Sequence, residues 1–420
     1  MRPHSHRLRT AFLAAWWTAA APLAAAEIPI ATAAGFAAAV LEAGPGDVLI
    51  LRSGTWADAR LAVRCSGSAE QPITIRAERP GTVVFSGSSR LSVAASHVVV
   101  EGLWFRDPTG EEAIELRIDT DDSRRAVAHD CRITQCAVTA DLPEDGADTS
   151  SRFLSIHGSR HRVDHCVFAG KRRAGPTLVV WLEHGVEAGH RIDHNHFGPR
   201  PPLDANGGET IRIGDSHTSL VRAGCLVEHN LFERCDGEAE CISNKSTGNT
   251  YRHNLFRKTS GALTLRHGDD CRVEHNAFLG EGAAGTGGVR IVGSGHAVIA
   301  NHFAGLRGDD HRSAVCMMLG IPHSPANGYA QVREARIEDN TFFDCEHNVL
   351  IGMRGARKAT LPPEDCVIAR NCIDTRRGPA FDTRCATDGI TFADNETGIA
   401  PAAAPAPAGP DGPVGPAWPR

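Results

Sequence analysis

Residues 250–278 read TYRHNLFRKTSGALTLRHGDDCRVEHNAF, and one phrase occurs in them twice, as Thr250-Tyr-Arg-His-Asn-Leu-Phe256 and as Arg272-Val-Glu-His-Asn-Ala-Phe278. Each phrase alternates side-chain character as a strand does, then places Phe two residues after Asn. Outward from this pair the phrase recurs as RVDHCVF (Arg162 to Phe168), RIDHNHF (Arg191 to Phe197), LVEHNLF (Leu226 to Phe232), AVIANHF (Ala297 to Phe303) and RIEDNTF (Arg336 to Phe342). Successive phenylalanines stand 29, 35, 24, 22, 25 and 39 residues apart. The shorter spacings fit one coil of a parallel β-helix, and the longer ones mark loops inserted into particular coils. Propeller repeats run nearer to about 40 residues, and sandwiches lack such self-similarity. The expected fold class is therefore all-β, a single-stranded parallel β-helix in which each coil packs only on its neighbours.

In such a coil, Asn suits the turn because its amide can bond the backbone and because it tolerates left-handed conformations. Asn195, Asn230, Asn254, Asn276, Asn301 and Asn340 are expected to stack as a ladder, with the phenylalanines as a second ladder inside. Solenoid ends need caps. Thr32 to Glu42, with Thr32 as N-cap and Phe36, Val40 and Leu41 on one stripe, reads as a capping helix. It leads through Val48-Leu-Ile-Leu-Arg52 and Ser53-Gly-Thr-Trp56 into the first coil.

Residues 1–26 read as a secretory signal: Arg2, Arg7 and Arg9, an alanine-rich apolar stretch, then Ala24-Ala-Ala26 as the cleavage site. The product is expected to be exported, periplasmic or secreted. No later segment holds the roughly 18 apolar residues that a membrane span needs. Residues 27–398 form the helix domain, and 399–420, almost all Ala, Pro and Gly, read as a disordered tail outside the fold. A net charge of -6 argues against nucleic acid as partner and asks any polyanion to find a local basic patch. Thirteen cysteines are an odd count. Several sit in apolar runs (Cys166, Cys225, Cys271, Cys366), where a buried thiol packs as a small hydrophobe, with one or two bridges as the alternative.

The polar residues concentrate in the middle coils. Glu238 and Glu240 are two apart, which on a strand puts both carboxylates on one face. They suit calcium or magnesium, with the Asn206 amide oxygen as a third ligand, or else form a solvated acidic patch with no ion. Lys245, Arg266 and Arg290 follow at intervals of 21 and 24 residues, one coil each, so they are expected in one column along a face. Stacked cations at a coil spacing of about 4.8 Å repel unless an anion lies along them, and an extended polyanion would.

These residues resemble polysaccharide lyase family 6, the group of alginate lyases and chondroitinase B. The resemblance runs from Gly46-Asp-Val-Leu-Ile-Leu-Arg-Ser-Gly-Thr-Trp56 to the last coils and is tightest from Asn206 to Arg290. It implies a right-handed parallel β-helix and a polysaccharide lyase that acts on an anionic glycan, alginate first, by calcium-assisted β-elimination. By motif position Asn206, Glu238 and Glu240 resemble the calcium ligands, Lys245 the base and Arg266 the acid. Glu209, Arg212, His267 and Arg290 resemble the residues that line the substrate groove. Cys241 stands where an aliphatic residue is expected, and the length suggests that the second β-helix domain of some relatives is missing.

The chemistry needs these groups together. Removing the C5 proton of a 4-linked uronate builds charge on the adjacent carboxylate, which a Lewis-acidic cation stabilises. Lys245 must be neutral to take that proton, and neighbouring cations depress its pKa in the required direction. Arginine hardly ever gives up a proton, so Arg266 stabilises the departing O4 if it is not the acid itself. His267 is the alternative donor, although as the strand neighbour of Arg266 it is expected to face the other way unless a turn intervenes. Three rivals remain at this stage: a chondroitin or dermatan sulfate lyase, a mannuronan C5-epimerase and a glycan-binding adhesin without catalysis. A glycoside hydrolase would need paired carboxylates and would leave the cations unexplained.

Overall fold

A computed structural model describes residues 25–119, 125–141, 150–399 and 410–418; the export signal expected over 1–26 thus lies outside the described residues up to residue 24. Among the described residues the chain winds through three long parallel sheets of 14, 13 and 12 strands, visited in turn by each coil. This is the expected parallel β-helix.

In the central coils the first wall is built by strands such as Arg272–Glu274, the second by Ala277–Leu279 and the third by Val289–Ile291. Alternation sends every second side chain inward. Along the third wall Leu178, Ile211, Ile242, Leu263, Val289, Val315 and Val349 fall in one register column, all buried.

The two expected ladders are present. Phe168, Phe197, Phe232, Phe256, Phe278, Phe303 and Phe342 stack inside with centroids 4.5–5.4 Å apart. Offset aromatic stacks at this spacing add to the burial that each ring already gains. In the asparagine ladder the Asn254 backbone N–H and side-chain amide both donate to Asn276 Oδ1 at 3.0 Å, while the same amide donates to the Val227 carbonyl at 2.9 Å. Repeating this pattern satisfies buried polar atoms that would otherwise cost about 1–3 kcal/mol each. The ladder also runs on through Asn371 to Asn395.

One reason given for asparagine is corrected. The left-handed residue is the one before it: His194, His229, His253 and His275 have φ of 54–56°, and the asparagines do not. Asn is placed there by its amide, and the strain falls on its neighbour.

Helix α1 (Ala33–Glu42) caps the N-terminal end, with the Thr32 hydroxyl accepting from Gly35 N–H at 3.0 Å and Phe36 buried. Leu41 is 83% exposed, so it is off the buried stripe on which it was expected. The first strand precedes this helix, Glu27–Ile30 pairing with Val48–Leu51. None of the thirteen cysteines is paired, and ten are buried, as packing thiols should be. No helix among the described residues is long and apolar enough to cross a membrane.

The C-terminal segment departs from expectation. Residues 410–418 are not outside the fold but lie on earlier coils: Trp418 Nε1 donates to the Gln135 carbonyl at 2.9 Å, and Gly415 N–H to the His194 carbonyl at 2.9 Å. Proline and glycine make such a segment a poor helix or strand but leave Trp418 free to pack on Trp104, with centroids 6.0 Å apart.

Candidate active site

The third wall carries the basic residues. Strands Glu240–Lys245 and Ala262–His267 pair in register from Ile242 to Asn244, after which a bulge sets Lys245 beside His267. Arg290 instead shares its column with Thr264, Ser243 and Arg212. The single column expected for Lys245, Arg266 and Arg290 is therefore not formed: the bulge moves Lys245 from Arg266 to His267, and the next coil, in unbroken register, sets Arg290 beside Thr264, two places before Arg266.

The cations converge all the same. His267 is 6% exposed, and its pKa is pushed down to about 3, first by burial and then by the charges of Arg266, Lys245 and Arg290. All three charges thus bear on one imidazole, which stays neutral. Nor does His267 face away from Arg266. Its Nδ1 lies 3.4 Å from Arg266 Nη1, since the strand ends there and Gly268, at φ 84°, turns the chain.

Arg266 is held from several sides. Its Nη1 donates to the Gly328 carbonyl at 2.7 Å, its Cζ sits 4.3 Å from the centre of the Tyr329 ring, and its Nε lies 3.9 Å from Glu240 Oε1. Burial draws its pKa below the ordinary arginine range. Arg290, 7% exposed, forms an ion pair with Glu240, whose other oxygen accepts from the Ser243 hydroxyl.

Next to these cations stand three carboxylates. Glu238 precedes the strand, in a bend, so its approach to Glu240 comes from that bend and not from strand alternation. Its pKa is raised to about 7, first by burial, then by the charges of Glu209 and Glu240. The Gly207 N–H donates to Glu238 Oε2 at 3.1 Å, and Asn206, exposed, is the residue before it. Glu209 is 3% exposed, and its Oε2 is buried with no hydrogen-bond partner. Mutually repelling carboxylates with an orphaned oxygen fit a hard cation.

Arg200, which the sequence reading passed over, holds this loop. It is buried and donates to the carbonyls of Glu209, Gly207 and Gly175, with its pKa lowered to about 10 by burial.

Arg212 lies further along the same wall, its Cζ 4.9 Å from the centre of the Trp181 ring. Trp181 in turn lines a cavity of about 440 Å³ together with Arg90, Glu112, Glu115, Arg152 and His157. Trp181 was also missed, since Leu178-Val-Val-Trp181 reads as core. Alternation from the buried Leu178 and Val180 would have put it on the outward face that Arg212 shares, two places beyond Arg212's partner Val179. Tyr329 gave no signal, because it reaches Arg266 from a distant loop.

The chondroitinase B family model matches residues 30–378. A mannuronic acid specific polysaccharide family 6 lyase from human gut microbiota is 30% identical, with a TM-score of 0.79 over 90% of this chain and 87% of that one. The chain belongs to polysaccharide lyase family 6. The family 6 alginate lyase AlyGC is 36% identical, with a TM-score of 0.84 over 91% of this chain. This chain spans only 53% of AlyGC, about half its length. A family 6 lyase from Pseudopedobacter saltans, 24% identical over 94% of this chain and all of its own, shares the fold with a TM-score of 0.77. Comparison with curated proteins gave no match.

Proposed function

We propose that this family 6 chain is an exported lyase that cleaves a 4-linked uronate glycan, alginate, by β-elimination. The observation that carries the reading is the setting of Lys245 beside His267, with Arg266 Nη1 3.4 Å from that ring and Arg290 paired with Glu240, next to the carboxylates of Glu209 and Glu238. Two relatives at 30–36% identity support it, one named for alginate and the other for mannuronic acid. The basic, alanine-rich first 26 residues support export.

Lys245 Nζ takes the C5 proton. The electron pair of the C5–H bond forms the C4=C5 double bond, the C4–O4 bond breaks, and O4 leaves with a proton from solvent. Arg266, pinned by Gly328 and Tyr329, keeps its own proton and offers N–H donors to O4 as charge develops there. His267, with a pKa of about 3, is not the acid near neutral pH; it positions rather than protonates. Arg290 and Arg212 bind uronate carboxylates along the wall.

Asn206, Glu238 and Glu240 would hold calcium, beside the unpartnered oxygen of Glu209. When bound there, calcium supplies Lewis-acid stabilisation of the uronate carboxylate.

Lys245→Ala is the direct test of the base. Turnover on alginate should fall at least about 10³-fold while oligosaccharide affinity, read by calorimetry, changes by no more than a few-fold. A variant that keeps its turnover would remove Lys245 from the chemistry, and equal loss of binding and turnover would make the wall a recognition surface.

A further inference from the structure

On the opposite side of the coil from Lys245, at the corner between the first and second walls, His165, His194, His229, His253 and His275 form an external stack with centroids 4.9–5.3 Å apart. The segment 410–418 lies across this corner. Asp411 Oδ1 sits 3.0 Å from His194 Nε2 and 3.1 Å from His229 Nδ1.

The protons on these rings decide what the contact is. His194 Nδ1 lies 2.9 Å from the buried carboxylate of Asp193, which can only accept, so that nitrogen carries an N–H and, in the neutral ring, Nε2 presents a lone pair. The Asp411 backbone N–H points at His229 Nδ1 from 3.4 Å, and His229 Nε2 faces Glu228 Oε2 at 3.9 Å, so Nδ1 presents a lone pair as well. Two imidazole nitrogens and a carboxylate oxygen therefore meet at one point, and with neutral rings the one hydrogen aimed at them is the Asp411 N–H, in a long contact of 3.4 Å. All three atoms lie within 4.8 Å of one another. With neutral rings such a set is repulsive until a cation, either a metal ion or a proton taken up by one ring, occupies its centre.

We propose that His194 Nε2, His229 Nδ1 and Asp411 Oδ1 bind a transition-metal dication of the zinc class, which clasps the C-terminal segment onto the coils. The two separations from Asp411, 3.0 and 3.1 Å, approach the edge of about 3.3 Å that a tetrahedron with metal–nitrogen bonds of about 2.0–2.1 Å requires, and the two ring nitrogens lie within 4.8 Å of each other. Imidazole nitrogen selects zinc, copper or nickel over calcium, which prefers oxygen alone. Asp193 behind His194 is the carboxylate that fixes a metal-binding ring in one tautomer. Asp411 is 69% exposed and the two rings about 15%, which leaves an entry path and a fourth position for water.

The test uses the full chain, stripped of metal and returned to millimolar calcium, then titrated with Co²⁺ and competed with Zn²⁺. One equivalent should give the visible absorption of tetrahedral cobalt, be displaced by Zn²⁺ and not by calcium, and raise hydrogen-exchange protection across 411–418. Asp411→Asn, at an exposed position that folding does not need, should weaken binding at least about tenfold and leave activity unchanged. His229→Gln should act likewise on binding. Absence of a stoichiometric cobalt spectrum, or binding indifferent to Asp411→Asn, would overturn the site. So would protection of 411–418 that rises with acidity and ignores the metal, since a proton would then be the cation.

Discussion

Glu238 is the residue whose environment says most about how the site works. Its ordinary carboxyl value is 4.5, and burial with the charges of Glu209 and Glu240 raises it to about 7. The folded state therefore holds this proton between pH 4.5 and 7 when the unfolded chain does not, so in metal-free protein Glu238 favours folding more at pH 5 than at pH 8. Calcium needs the ionised form, and binding below pH 7 must expel the proton. Calcium affinity by calorimetry should accordingly drop about fivefold from pH 7 to pH 6 and level off above pH 8. Glu238→Gln should abolish that slope; an affinity flat from pH 6 to 8 in the wild type would count against a proton on this carboxylate. At this scale much of the candidate site could be picked out from the sequence, because Glu238, Glu240, Lys245 and Arg266 stand in a polar cluster at coil spacing. What was not legible arises where spacing ceases to report geometry: the bulge at Lys245, the bend before Glu240, and Arg200, Trp181 and Tyr329 acting from loops or behind apolar neighbours.

Among the elements, the asparagine ladder does for the turn between the first and second walls what a hydrogen-bond ladder does for a sheet. Asn254 Oδ1 accepts from both the backbone N–H and the amide of Asn230, and its own amide serves Val227 and Asn276. Asn254→Ala would strand several buried groups at once, and urea denaturation should show a loss of about 2–4 kcal/mol. A loss below about 1 kcal/mol would mean that water replaces the amide and that the ladder only marks the turn. These elements were readable because the same physical problem is solved in every coil, so the solution repeats in the sequence. The left-handed histidines were hidden for a related reason. Alternation predicts facing, and nothing in it assigns φ to the residue before the asparagine.

The whole molecule is a stack in which each coil contributes a few atoms to a long wall, and the proposed chemistry depends on that summation. No single coil holds the base, Arg266 and the carboxylates together: Lys245, Glu238 and Glu240 come from one, Arg266 and His267 from the next, Arg290 from the one after. Residues 410–418 run back over several coils on the far corner, a tie that composition alone made look like a loose tail. The account stands most directly on the nature of the product. Purified protein incubated with alginate and calcium, with dermatan sulfate in parallel, should release oligosaccharides from alginate whose new non-reducing ends absorb in the ultraviolet and lack one water by mass relative to hydrolysis products. Saturated ends, inversion at C5 without chain cleavage, or unsaturated ends from dermatan sulfate alone would contradict it.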